Sequence, residues 1–137
     1  MMPQLRILIA DDDRHARAGL RAYLTSVLAC TIVGEAANGE EAIAQAACYR
    51  PDVVLLDLRM PGLDGMQVTR IIKAQWPAIS VVALTLYADQ RAAALAAGVD
   101  AFVTKGDAPD HMITTLRALR VRADGGGSAE AGAVPGL

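Results

Sequence analysis

The 137 residues, 53% of them hydrophobic, suffice for one compact domain with a buried core and fall short of two. A formal charge of -2 excludes a surface built to hold nucleic acid by neutralising its phosphates, so any DNA contact requires another module. No run approaches the roughly 20 apolar residues of a membrane span. Met1-Met2-Pro3-Gln4 does not open a signal peptide, so a cytoplasmic protein without membrane contact is expected.

In chain order, Leu5 to Ala10 is the first expected strand, and Asp13 stands where the first helix begins, as its N-cap. A second strand follows at Thr31 to Ala36. Asn38 then caps a helix whose third residue is Glu41, a capping-box variant, with Ala42, Ile43, Ala46 and Ala47 as its inward stripe. The third strand is Asp52 to Asp57. Asp64 caps the stretch through Trp76, where Val68, Ile71, Ile72 and Gln75 recur at helical spacing until Pro77 stops it. After the fourth strand, Ser80 to Thr85, an Ala-rich helix from about Ala88 to Ala97 ends at Gly98, a natural left-handed cap. Asp100 to Thr104 is the fifth strand. Asp107, with Pro109 in the first turn and Asp110 at the third position, opens a last helix through about Arg120. From Asp124 the chain reads GGGSAEAGAVPGL, so residues 1–122 are expected as the domain and 123–137 as a flexible Gly-rich tail or linker.

The runs ILIA, VVLLD and VVALT are apolar at consecutive positions, as in a parallel sheet covered by helices on both faces. The expected fold is α/β, a (βα)5 doubly wound sheet with its site outside the carboxyl ends of the strands. Those ends carry Asp11-Asp12-Asp13, Asp57, Thr85 and Lys105. Clustered carboxylates repel unless a cation sits among them or one takes a proton, and magnesium, or manganese, suits such hard oxygen ligands. An aspartate can also serve as nucleophile in phosphoryl transfer, giving an acyl phosphate. A metal, a cationic Lys105 and the Thr85 hydroxyl would spread the charge on the phosphoryl oxygens. Asp13 is set apart by its capping role.

ILIADDD, then LLDLRMPGLDG from Leu55 to Gly65, then VVALT, then FVTK resemble the response-regulator receiver family over about Leu5 to Arg120. The resemblance implies a flavodoxin-like strand order 2-1-3-4-5, with Asp57 accepting a phosphoryl group from a sensor histidine kinase. It implies metal ligation by Asp11, Asp12, Asp57 and the main-chain carbonyl of Arg59. Thr85 and Lys105 would bind phosphoryl oxygens. As Thr85 moves toward the phosphate, the aromatic Phe102 would turn inward, and the surface of helix 4, strand 5 and helix 5 would change. That surface is also the implied homodimer contact. Such a protein acts on itself and not on an outside substrate. The stretch GVDAFVTKGDAPDHMITTLRAL further resembles the NarL/LuxR subgroup, implying control of transcription through a DNA-binding helix-turn-helix domain absent from this chain.

Three positions depart from the family pattern. Leu86 replaces a small residue beside the phosphate, implying tighter access; Phe102 has no hydroxyl; Gly106 replaces a frequent proline. Arg59 and Tyr87, two residues beyond Asp57 and Thr85, stand where the family flanks the route of the hydrolytic water, and so would tune phosphoryl lifetime. A rival reading resembles the haloacid dehalogenase phosphatases, with Asp11 and Asp13 as DxD, then Thr85, Lys105, Asp107 and Asp110; it leaves Asp57 and MPGLDG unexplained. Cys30 and Cys48 read as reduced thiols, His15 and His111 as surface residues, and Trp76, Met60, Met66 and Met112 as packing. Arg117, Arg120 and Arg122 read as a solvated basic face, with a dimer contact as the alternative.

Overall fold

The strands form where apolar runs can be buried on both sides: every residue of Val53–Asp57 is buried, as are five of the six in Leu5–Ala10. A computed structural model describes residues 4–126, with side chains to residue 120. Its elements are β1 (Leu5–Ala10), α1 (Arg14–Val27), β2 (Cys30–Ala36), α2 (Gly39–Tyr49), β3 (Val53–Asp57) and α3 (Gly65–Gln75). Then come β4 (Ser80–Thr85), a 3-10 turn (Ala88–Gln90), α4 (Arg91–Ala97), β5 (Ala101–Thr104) and α5 (Pro109–Gly126). The five strands are all parallel and lie in the order β2-β1-β3-β4-β5. This is the expected flavodoxin-like arrangement. The order reverses at β1, so the carboxyl ends of β1 and β3 open onto the crevice at the switch point. The chain divides into two compact units at Asp107 and Ala108, and the first contains the whole sheet.

Capping chemistry sets the helix starts. Asp13 accepts from the N–H groups of His15 and Ala16, and Asn38 accepts from that of Glu41. Glu41 reaches back to the N–H of Ala37, one residue ahead of the cap, while Asp64 and Gln67 form a complete capping box. Gly98, at φ 108°, ends α4 in the left-handed region. Leu8, Val54, Leu56, Val81 and Ala83 of the sheet are fully buried in one apolar cluster with Ala42 and Ala46 of α2 and Val68 and Ile72 of α3. Met60, Met66 and Trp76 pack at its edge.

Several expectations shift. Ala47 and Gln75 are exposed, so the buried stripes are narrower than predicted, and on α3 Thr69 takes the inward place, its hydroxyl donating to the Gly65 carbonyl. The Ala-rich helix is divided, a 3-10 turn preceding α4. Asp52 and Asp100, predicted to begin strands, stand just before them. Each carboxylate accepts the first free N–H of the neighbouring strand, Arg6 for Asp52 and Val81 for Asp100, both within 2.9 Å. In the second unit α5 begins at Pro109, two residues after Asp107. The helix runs to Gly126, past the predicted end. The rest of the predicted tail lies outside the described residues, as does the Arg122 side chain; Arg117 is exposed and Arg120 half-buried. Cys30 and Cys48 are free thiols, the first buried. Among the described residues, no helix is long and apolar enough to cross a membrane.

Candidate functional site

The parallel register places Ala10 of β1 beside Leu56 of β3, so the residues that follow, Asp11 and Asp57, emerge side by side at the carboxyl edge. Asp11 is 1% exposed and Asp57 6%, while Asp12 faces solvent, and one ligand oxygen of each lies within 4.8 Å of the others. Their remaining valences are assigned by the backbone. Asp11 Oδ1 accepts the N–H of Asp13 and Asp57 Oδ1 that of Arg59, both at 2.9 Å. The second oxygens share a cation: Lys105 Nζ donates to Asp11 Oδ2 at 3.0 Å and to Asp57 Oδ2 at 3.1 Å. Its own N–H is held by the Thr85 carbonyl at 2.7 Å, which fixes where the ammonium enters.

Three carboxylates against one ammonium leave the cluster short of positive charge. Burial pushes the Asp57 carboxyl above its usual range, and the Arg59 N–H and the Lys105 ammonium oppose this without cancelling it. Burial also works against the Lys105 charge, but the hydrogen bonds and charges of Asp11 and Asp57 outweigh it and hold the ammonium above its usual range. A hard divalent cation fits this donor set and this charge deficit. Among the described residues, these three acids are the group with metal-ligand spacing; neither histidine nor cysteine joins them.

Support comes from α1 and β2. Arg17 Nη1 donates to the Asp11 carbonyl at 2.6 Å, and its Nε to Glu35 at 3.1 Å, where Arg21 Nε also donates at 2.7 Å. Burial alone would raise the Glu35 carboxyl, yet the hydrogen bonds from Arg21 and Arg17 hold it below its ordinary range. Across the site, Gly65 lets α3 start against the residue after Asp57, since a Cβ there would lie 2.6 Å from the Leu58 Cα.

Thr85 reaches the same edge at the end of β4 and is 1% exposed, but its hydroxyl is engaged elsewhere. It donates to Gln90 Oε1 at 2.6 Å and accepts from the Tyr87 N–H at 3.1 Å. The Arg59 guanidinium lies 4.2 Å from the Tyr87 ring centroid. Asp12, Arg59, Met60 and Gln90 line a shallow cleft beside the acids. Leu86, expected to tighten access, is 66% exposed, whereas Phe102 is buried with the Arg91 guanidinium 5.9 Å from its ring centroid. Sequence reasoning did not single out Gln90, because a side-chain acceptor at the end of a 3-10 turn leaves no periodic signal. Asp13 is exposed, and its carboxylate is committed to the α1 cap, which removes the DxD pair the rival reading needs.

Residues 7–117 match the family model of the response regulator receiver domain. The chain belongs to this family. Its receiver sequence is 39% identical over 115 residues to the response regulator protein VraR of Staphylococcus aureus, covering 82% of this chain and 55% of that protein. The receiver thus spans about half the length of the curated relatives it matches. A LuxR-family two-component response regulator from an Aurantimonas species superposes with a TM-score of 0.82 at 28% identity, over 87% of this chain and 86% of that one. The signal receiver domain of the putative response regulator NarL from Mycobacterium tuberculosis gives 0.80 at 27%, over 86% and 97%. The receiver is therefore a module of two-component signalling, in a family of phosphoacceptor switches.

Proposed function

We propose that this receiver takes a phosphoryl group from a sensor histidine kinase onto Asp57, in a reaction that requires magnesium or manganese. The observation that carries the reading is the buried Asp57 carboxylate at the end of β3, sharing the Lys105 ammonium with Asp11. An Asp57 oxygen attacks phosphorus as the bond to the donor's leaving group breaks, giving an acyl phosphate. Lys105 exchanges its carboxylate contacts for a phosphoryl oxygen and so follows the charge. Thr85 turns its hydroxyl to a second phosphoryl oxygen. Asp11, Asp12, Asp57 and the Arg59 carbonyl would hold the metal, which supplies positive charge against the phosphoryl oxygens.

The protein acts only on itself, catalysing its own phosphorylation and dephosphorylation in the cytoplasm. Arg59 and Tyr87, stacked beside Asp57, flank the approach of the hydrolytic water and set the phosphoryl lifetime. Phe102, already buried and without a hydroxyl, takes part in the switch through packing alone. Output follows a change at the surfaces of α4, β5 and α5, with homodimerisation there. It passes to transcription through a DNA-binding domain outside this chain; the LuxR-family and NarL relatives support this assignment. The test incubates the receiver and Asp57→Ala with magnesium and acetyl phosphate. A mass gain of one phosphoryl group is expected in the parent alone, and equal labelling of both proteins would overturn the reading.

A further inference from the structure

We infer that Gln90 is a positioning residue of the phosphoryl switch: it holds the Thr85 hydroxyl proton in the resting orientation and must release it before Thr85 can bind a phosphoryl oxygen. The inference rests on the Asp57 reading above and adds a residue to it. A hydroxyl has one proton to donate, and here that proton is given to Gln90 Oε1 at 2.6 Å. The hydroxyl oxygen is also in use, accepting the Tyr87 N–H at 3.1 Å, while the Tyr87 carbonyl accepts the Gln90 N–H at 3.1 Å. Three hydrogen bonds therefore close a ring through Thr85, Tyr87 and Gln90.

For Thr85 to turn, its side-chain bond to Gln90 must break and its oxygen must leave the Tyr87 N–H, whereas the bond from the Gln90 N–H to the Tyr87 carbonyl can stay. Thr85 is almost fully buried, so its proton has no water to fall back on, and donation to Gln90 and donation to a phosphoryl oxygen exclude one another. Gln90 lines the cleft beside Asp12 and Arg59, so the contest takes place at the site itself. A ligand that needs the released hydroxyl binds more weakly in proportion to the fraction of molecules in which Thr85 is free. Removing the acceptor removes that competition.

The experiment measures beryllofluoride affinity in magnesium for the parent, Gln90→Leu, Gln90→Ala, Thr85→Val and the double variant Thr85→Val/Gln90→Leu. A neutral hydrogen bond is worth about one order of magnitude in an equilibrium constant at most, so the Gln90 variants should bind about 3- to 10-fold more tightly than the parent. In the Thr85→Val background, Gln90→Leu should change nothing, a pattern that general loosening of the loop would not produce. On adding beryllofluoride to the parent, exchange of the Tyr87 amide should quicken as it loses its acceptor. Unchanged or weaker binding by both Gln90 variants, or the same gain without the Thr85 hydroxyl, overturns the positioning role while leaving Asp57 in place. Beryllofluoride binding that is absent from the parent, or that survives Asp57→Ala, overturns the Asp57 reading and the inference with it.

Discussion

The two halves of the crevice are held by different kinds of bond. At the ends of β1 and β3, Asp11 and Asp57 each give one oxygen to a backbone N–H and one to Lys105, and Arg17 grips the Asp11 carbonyl from behind. At the end of β4, the Thr85 hydroxyl donates to the Gln90 side chain and accepts the Tyr87 N–H, and the next residues, Leu86 and Tyr87, are 66% and 43% exposed. The backbone donors to the acids stand two residues after them and hold each carboxylate locally, whereas the Gln90 side chain can swing away from Thr85. The acids thus form a fixed receptacle, and besides the Lys105 ammonium it is the β4 loop whose bonds can be exchanged.

The largest effect should come from crowding the fixed half. Gly65→Ala sets a Cβ 2.6 Å from the Leu58 Cα, backbone that cannot step aside, so a loss of about 1–3 kcal/mol in denaturant unfolding is expected, together with weaker beryllofluoride binding. A wild-type midpoint would show that the receptacle is softer than its contacts imply. Glu35→Gln probes the support behind Asp11 and should cost about 0.5–1 kcal/mol near neutrality. Because the folded Glu35 carboxyl titrates below its ordinary range, its contribution is full above that range and is lost as pH falls through the lowered value. The gap between parent and variant should therefore close on acidification below about pH 4; a constant gap would assign the loss to packing. The smallest change in stability belongs to the exchangeable half. Tyr87→Ala, which removes the ring beneath Arg59, should cost no more than about 0.5–1 kcal/mol yet alter the decay of the acyl phosphate, and identical decay rates would remove Tyr87 from the water route.

The same division decides what could be read from the sequence. The fixed half was legible: apolar runs ended in Asp11 and Asp57, with Lys105 directly after the fifth strand, and a parallel sheet brings such ends together. Caps at Asp13, Asn38 and Asp64 were legible as well, because each satisfies N–H groups within three residues of itself. Gln90 was not, since its partner is chosen by a 3-10 turn hidden inside a run that reads as one Ala-rich helix. Nor was the Arg17, Arg21 and Glu35 group, whose members come from two elements and meet only once α1 packs beside β2. Asp52 and Asp100 read locally as strand residues because their carboxylates act between strands, where no local pattern records them.

Those two aspartates bear on more than strand boundaries. In a sheet a slip of one residue turns every side chain to the opposite face, so alignment must be anchored somewhere. Asp52 clasps Arg6 by exchanging bonds in both directions, its N–H to the Arg6 carbonyl and its carboxylate to the Arg6 N–H, each at 2.9 Å. Asp100 does the same to Val81, at 2.8 Å in both directions. Both clasps sit at the amino ends of their strands, the edge opposite the acids. Counting along β3 from the first clasp leads to Asp57, and along β5 from the second to Lys105. The far rim of the sheet acts as the datum from which the meeting of carboxylate and ammonium is measured out.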